Sequence, residues 1–324
     1  MVLSLFEILN KEDRIEILQK QGHGININNM GLKYGPGLIP KIPKNSFFDK
    51  SCVAITKQHR YSYMPAHTHN FIELNYQFSG KSTQYINGRE YILTPGQLLV
   101  MDSEVIQKYE YMQKNDILVN ILLNLSDIPS DSNFIDNSVD SFRKFLFNAQ
   151  DPKNEHQNYL IFDLSKSPEI KLIWEQLFKY ALTNMKPFKT RELLLIACLS
   201  CLPEPKITNI RTLNSTTKSM VDIIKYIETN YKTVTLEKIS NHFGYNKNYI
   251  SNKIKDYTGL SFIDLLDRKR IILAENLLLD TNLSITEISN QIGYKNPVSL
   301  FRLFKKHLKI TPHQFKSKHK NEIN

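Results

Sequence analysis

Apolar residues change their spacing twice along this chain, and the stretches so defined predict different structures. Between Cys52 and about Leu125 they come in short runs bounded by breakers: CVAITKQ, FIELNYQF, STQYI, REYIL, QLLVMD and ILVNILLNL. Runs of this length and composition are those of strands with a buried face. Asn87-Gly88 separates STQYI from REYIL by two residues that both tolerate positive φ, the signal of a type I′ hairpin. The stretch therefore predicts an antiparallel β domain. Ahead of it Leu3, Phe6, Ile8 and Leu9, then Ile15 and Leu18, predict a short amphipathic helix, followed by a Gly/Pro-rich extended arm, GLKYGPGLIPKIP. Behind it residues 126–139 are polar and loop-like, and the period becomes helical. Phe142, Phe145 and Leu146, then Leu172, Ile173, Leu177, Tyr180 and Ala181, then Leu193 to Leu202, predict two or three helices. A linker starts at Pro203, and everything beyond it reads as helix. The expected fold class is α+β, with segments 1–50 (helix and arm), 51–139 (β domain), 140–202 (helical), 203–217 (linker) and 218–324 (all-α).

The last segment repeats itself. LEKISNHFGY (236–245) lies over ITEISNQIGY (285–294) at an offset of 49 residues. Ile239 and Ile288 are expected to face a core, Ser240 and Ser289 to admit a crossing helix, and Gly244 and Gly293 to turn the chain at positive φ. After each turn a second helix is expected, Asn248 to Thr258 and Pro297 to Leu308, anchored by Ile250 and Ile254 in the first and Leu300 and Phe304 in the second. These two copies are helix-turn-helix units. Between them Phe262 to Leu279 predicts a helix of about 27 Å at 1.5 Å per residue. Recognition helices held about 34 Å apart would enter successive major grooves on one face of DNA.

Charge agrees with that reading. The chain of 324 residues (37.8 kDa) carries a net +10. From Thr216 to Asn324 there are 18 Lys and Arg against 10 Asp and Glu, whereas the first 215 residues hold 24 against 22. The excess sits where the repeat sits, as expected of a domain that meets a polyanion. The longest apolar run, Leu193 to Leu202, is about half the length of a membrane span. Three cysteines are too few for a disulfide scaffold, and the Cys198/Cys201 pair is expected to be buried packing. The N-terminus meets Glu7 before a signal-peptide core forms, so a cytoplasmic chain is expected.

Residues 220–318 resemble the DNA-binding domain of the AraC/XylS family, through TLEKISNHFGYNKNYISNKIKDYTGLSFIDLLDRKRIILAENLLL and LSITEISNQIGYKNPVSLFRLFKKHLKITPHQFK. The resemblance implies double-stranded promoter DNA as partner. It implies that the first recognition helix presents Asn248, Ser251, Asn252 and Lys255, and the second Asn296, Val298, Ser299 and Arg302. Asn and Arg have the bidentate geometry to read adenine and guanine edges. Lys305 and Lys306 are expected on phosphate. Asn252 stands where the family usually has arginine and Val298 where a polar residue is common, so base preference does not transfer.

In the β domain His67-Thr68-His69-Asn70-Phe71-Ile72-Glu73 resembles the first cupin motif, and period two would put both imidazoles and the carboxylate on one face. The histidine of the second cupin motif is absent, since none occurs between His69 and His156. The expectation is a metal-free, cofactor-free cupin-like pocket in which His67, His69, Glu73, Asn75 and Tyr85 hydrogen-bond a small effector, carbohydrate being one candidate. The family resemblance further implies a homodimer formed through the helices of 140–202, and an activator that contacts RNA polymerase. Two alternatives stand beside it: a regulator controlled by abundance or a protein partner, and a metal-dependent cupin enzyme carrying a DNA-binding tail. No nucleophile elbow, phosphate loop or zinc-protease motif is present in the sequence, and no enzyme is expected.

Overall fold

A computed structural model describes residues 3–22, 26–27, 38–48, 51–127, 138–183, 188–210 and 220–320. Most of the Gly/Pro-rich arm, the centre of the 126–139 loop and the end of the linker lie outside these residues. The chain divides into two compact units, residues 1–35 with 41–216, and residues 36–40 with 217–324.

Among the described residues the first unit is built on eleven strands: β1 (Lys41–Ile42), β2 (Val53–Lys57), β3 (Met64–His69), β4 (Ile72–Ser79), β5 (Ser82–Ile86), β6 (Arg89–Leu93), β7 (Gln97–Met101), β8 (Gln107–Tyr109), β9 (Ile117–Leu123), β10 (Tyr159–Asp163) and β11 (Ile207–Asn209). They form a five-stranded sheet, β1-β3-β8-β5-β6, and a six-stranded sheet, β11-β10-β7-β4-β9-β2. All pairings are antiparallel except β1 with β3. Each of the six runs read as strands is one. Asn87 and Gly88, at φ 49° and 77°, close the β5–β6 hairpin with Ile86 opposite Arg89. YLIFD, lying in the segment read as helical, is the strand β10; it pairs with β7 and completes the larger sheet.

That sheet is covered on both faces, which explains its near-continuous apolar strands. Ile72, Leu74 and Tyr76 of β4, Leu98 and Val100 of β7, Val119 and Ile121 of β9, and Leu160 and Phe162 of β10 face a helical layer. This layer is α1 (Leu5–Asn10), α3 (Asp140–Gln150), α4 (Pro168–Leu182) and α5 (Phe188–Ser200), which contribute Leu5 and Leu9, Phe142 and Phe145, Trp174 and Phe178, and Leu195 and Cys198. Trp174 lies parallel to Tyr76, with ring centroids 6.2 Å apart and 4° between planes. Burying a side chain such as Phe178 contributes about 1.5–3 kcal/mol. Cys198 is buried in this layer as expected, but Cys201, at the end of α5, is exposed.

One N-terminal helix departs from the pattern. The segment read as a single helix is two, and α2 (Arg14–Gln21) buries Glu16 and Gln19 while leaving Ile17 and Leu18 exposed. The inversion has an electrostatic cause. Arg60, itself fully buried, donates from Nε to Glu16 Oε1 (2.7 Å) and from Nη2 to Oε2 (3.1 Å), and Lys57 Nζ donates to Oε2 (2.6 Å). Ion pairs out of water require this degree of saturation to persist.

The second unit is helical: α6 (Met220–Thr229), α7 (Leu236–Phe243), α8 (Lys247–Thr258), α9 (Phe262–Asp280), α10 (Ile285–Gln291), α11 (Pro297–Leu308) and α12 (Pro312–Lys320). The pairs α7/α8 and α10/α11 are the two helix-turn-helix units. Leu265 and Leu266 in the first half of α9, and Ile271, Ala274 and Leu278 in the second, are buried, so one rod carries a packed stripe along most of its length. Ser261 caps it, accepting from the Asp264 N–H.

Candidate nucleic-acid interface and barrel cavity

Each recognition helix starts at an asparagine and ends on a left-handed residue. The Asn246 side chain accepts from the Asn248 N–H at 2.8 Å, and that of Asn296 from the Val298 N–H at 2.8 Å. Gly259 at φ 77° ends α8, and Lys309 at φ 63° ends α11. The caps therefore fix an offset of 50 for both helices from end to end. Ile250 and Ile254 align with Leu300 and Phe304, all four buried. In that register Asn248, Asn252 and Lys255 match Val298, Arg302 and Lys305, and all six are exposed.

The remaining expected readers fall elsewhere. Ser251 and Ser299 are half-buried. Asn296 is exposed, but its side-chain oxygen is engaged by the cap; its counterpart is Asn246, not Asn248. Lys306 is held on the protein: Nζ donates to Asp264 Oδ1 at 2.9 Å and Asp267 Oδ2 at 2.8 Å, both on α9. These carboxylates push the Lys306 ammonium above the ordinary lysine range, with Asp267 the larger influence. Turn-forming Ser289 is buried and donates from Oγ to the Asn296 carbonyl at 3.2 Å, and Ser240 Oγ donates likewise to the Tyr245 carbonyl. The small residues thus do more than admit a crossing helix; they tie each turn to the entry of the reading helix.

The barrel interior is polar along one stripe. Period two sends Glu73, Asn75 and Gln77 of β4 opposite to Leu74 and Tyr76. Asn75 Nδ2 donates to Glu73 Oε1 and to Asn120 Oδ1, both at 3.0 Å, while Gln107 Nε2 donates to Asn75 Oδ1 (2.6 Å) and Gln84 Oε1 (2.8 Å). Beside this network a cavity of about 190 Å³ is lined by His67, His69, Glu73, Asn120, Lys57 and His59, among others, with Phe47, Phe71 and Leu122 as apolar wall. Asn75 stands behind the wall and orients Glu73 and Asn120. Tyr85 is a correction: on β5 it is Ser82, Gln84 and Ile86 that are buried, and Tyr85 turns outward, where Lys108 Nζ lies 4.2 Å from its ring centre. Its position is odd where the inward positions are even. Sequence reasoning also passed over Lys57, Gln58 and His59, at and just beyond the end of β2, whose polar run carries no periodic signal.

Burial dominates the His67 imidazole and pushes it down to about 4, so it is neutral at pH 7. Its Nδ1 lies 2.8 Å from the Pro65 carbonyl, a contact that requires the proton on Nδ1. Glu73 is held below its ordinary range because its two histidine neighbours and Asn75 outweigh the opposing effect of burial.

A two-sheet β domain with an internal cavity, followed by a helical domain with two helix-turn-helix units, defines a class: regulators of transcription. Residues 50–122 match the AraC-like ligand binding domain family and residues 239–318 the helix-turn-helix domain family. The chain thus carries an AraC-like ligand binding domain ahead of a helix-turn-helix domain, the make-up of a transcriptional regulator. It is 29% identical over 98 residues to the probable transcription factor PqrA of Proteus vulgaris, covering 29% of this chain and 80% of that protein. It is 21% identical over 282 residues to the transcriptional activator RhaR of Escherichia coli K12, covering 85% of this chain and 96% of RhaR. Of some other curated relatives it spans only 11% to 40%. A solved C-terminal domain of the response regulator yesN from Fusobacterium nucleatum is 34% identical, covering 29% of this chain and 93% of that one, with a TM-score of 0.28. The relatives are regulators, not enzymes. Among the described residues no helix is long and apolar enough to cross a membrane.

Proposed function

We propose that this protein is an effector-responsive activator, in which α8 and α11 read two adjacent major grooves of promoter DNA and the barrel cavity holds a small polar ligand. One observation carries the reading: two capped helices in one register, each burying its apolar anchors and exposing Asn248, Asn252 and Lys255 or Val298, Arg302 and Lys305. A polyhydroxylated effector such as a sugar suits the mixed donors and acceptors of the cavity, with aromatic Phe47 and Phe71 against its apolar face. Leu172 of α4 and Leu193 of α5, 57% and 55% exposed on helices otherwise packed on the sheet, support a homodimer seam. Ligand acts only through unequal affinity for two arrangements of the protein. DNA-bound chains then contact RNA polymerase in the cytoplasm.

The test is selection of bound fragments from the cognate genome with the full chain. A shared motif of nearly two turns, lost in the Asn252→Ala/Arg302→Ala double variant, is the expected result. Random enrichment would remove the reading. A melting-temperature screen against sugars tests the effector: saturation at 100 times the dissociation constant adds about 2.7 kcal/mol.

A further inference from the structure

We propose that the loop leading into the first helix-turn-helix unit is locked onto the turn of the second, and that Arg270, Tyr231 and Tyr294 are positioning residues that set the spacing of α8 and α11. The proposal rests on the two-groove reading above and adds what fixes the distance between its halves. A connecting helix sets a length, but units joined to its two ends can still swivel about the corners. Gly259, at φ 77° between α8 and α9, is one such corner. A second attachment removes that freedom.

That attachment is the loop of residues 230–235, between α6 and α7. Arg270, near the middle of α9, donates from Nη2 to the Tyr231 carbonyl at 2.9 Å, and its guanidinium lies 4.6 Å from the ring centre of Tyr294, just after the second turn glycine. One planar cation thus holds both units, donating to the first and lying over a ring of the second. The Tyr231 hydroxyl donates to the Gln291 carbonyl of α10 at 3.3 Å. Backbones meet as well: a Cβ on Gly293 would stand 2.8 Å from the Lys232 carbonyl oxygen, so glycine is what lets the loop seat. The contacts continue to the reading helix, since Tyr294 donates to Asp267 Oδ1 at 3.3 Å and Asp267 Oδ2 accepts from Lys306 of α11 at 2.8 Å. The corresponding turn of the first unit faces open space. A Cβ on Gly244 meets nothing within 4 Å, and Tyr245, in the place of Tyr294, is 37% exposed. Two turns alike in sequence differ because the second is a docking platform for the first unit.

Electron–electron double resonance on full-length, DNA-free protein tests the lock. Spin labels are placed at Lys253→Cys of α8 and Lys305→Cys of α11, both exposed, in a Cys201→Ser background that leaves only buried Cys52 and Cys198. Expected is one narrow distance distribution, retained by Tyr294→Phe, which keeps the ring, and broadened at least about twofold by Arg270→Lys, which keeps the charge but not the planar fork. The proposal falls if the wild-type distribution is already broad, or if Arg270→Lys leaves it as narrow as wild type; should that variant not fold, Tyr294→Leu decides in the same way. The unlabelled proteins are then titrated with the selected DNA site and with copies one base pair longer or shorter between the halves, each step turning one half by about 35°. Wild type is expected to lose at least about tenfold at either altered spacing and Arg270→Lys less than about threefold, with affinity for an isolated half-site the same for both. A spacing profile of Arg270→Lys parallel to that of wild type would make Arg270 merely structural and overturn the assignment. Indifference of wild type to spacing would instead remove the two-groove reading, while the distances, measured without DNA, still decide on the lock.

Discussion

Lys305 and Lys306 are neighbours on α11 with different surroundings. Lys305 is exposed, whereas Lys306 is clamped by Asp264 and Asp267. Lys305→Ala is expected to weaken specific and random DNA alike and to lower the salt slope by about one, and Lys306→Ala to do so less. Arg302→Ala is expected to cost about 1–3 kcal/mol on the specific site alone and to relax preference at one base pair. Fluorescence anisotropy across a salt series distinguishes these patterns, and equal losses for all three would contradict the assignment. In the other unit, Glu16 is drawn down to about 2, from an ordinary value of 4.5, by the Arg60 and Lys57 bonds against the opposing effect of its burial. A carboxylate depressed by folding stabilises above its unfolded pKa and loses that contribution as pH falls through the folded one. About 3 kcal/mol is therefore present at neutral pH and lost between about pH 4.5 and 2. Glu16→Gln should flatten that stretch of the stability–pH curve and, by leaving Arg60 buried without its partner, destabilise by about 3–5 kcal/mol at pH 7. No apolar pattern foretells such a residue: Glu16 sits beside Ile15 and Ile17, and only its ionic partners, distant in sequence, turn it inward.

The helix-turn-helix elements were readable because their signals are local: a small residue, a glycine turn, an asparagine cap and anchors four apart all lie within one window. Two short strands were not. YLIFD is bounded by DPKNEHQN and SKSP but lies between two helical patterns, and β8 is a three-residue QKY whose inward residues, Gln107 and Tyr109, join a polar network instead of an apolar face. The two turn glycines, alike in sequence, differ in surroundings. A Cβ on Gly244, at φ 76°, meets nothing within 4 Å, whereas one on Gly293, at φ 91°, would stand 2.6 Å from the Lys232 Cα. Gly244→Ala is accordingly expected to cost about 1 kcal/mol of backbone strain, and Gly293→Ala at least about 2–3 kcal/mol because backbone must also move. Lys309 occupies the left-handed position that Gly259 fills in the first unit, so Lys309→Gly should stabilise by about 0.5–1 kcal/mol. Urea unfolding of the full chain reads all three, and a Gly293→Ala cost no greater than that of Gly244→Ala would rule out the Lys232 contact.

Both helix-turn-helix units, the proposed readers, flank α9, whose 19 residues span about 28 Å at 1.5 Å per residue. Leu265, Leu266, Ile271, Ala274 and Leu278 are buried, so the rod has little freedom to bend without exposing core. A rigid spacer turns two modest contacts into one long site, because binding by the second helix becomes intramolecular once the first is seated. It also forbids adjustment. Once the bound motif is known, inserting about five base pairs between its halves rotates one half to the opposite face of the duplex and should reduce affinity to that of a half-site. An insertion of about ten restores the face but not the distance, and should fail equally. Recovery at ten would mean that the two helix-turn-helix units move independently, and indifference to both would mean that one of them alone does the reading.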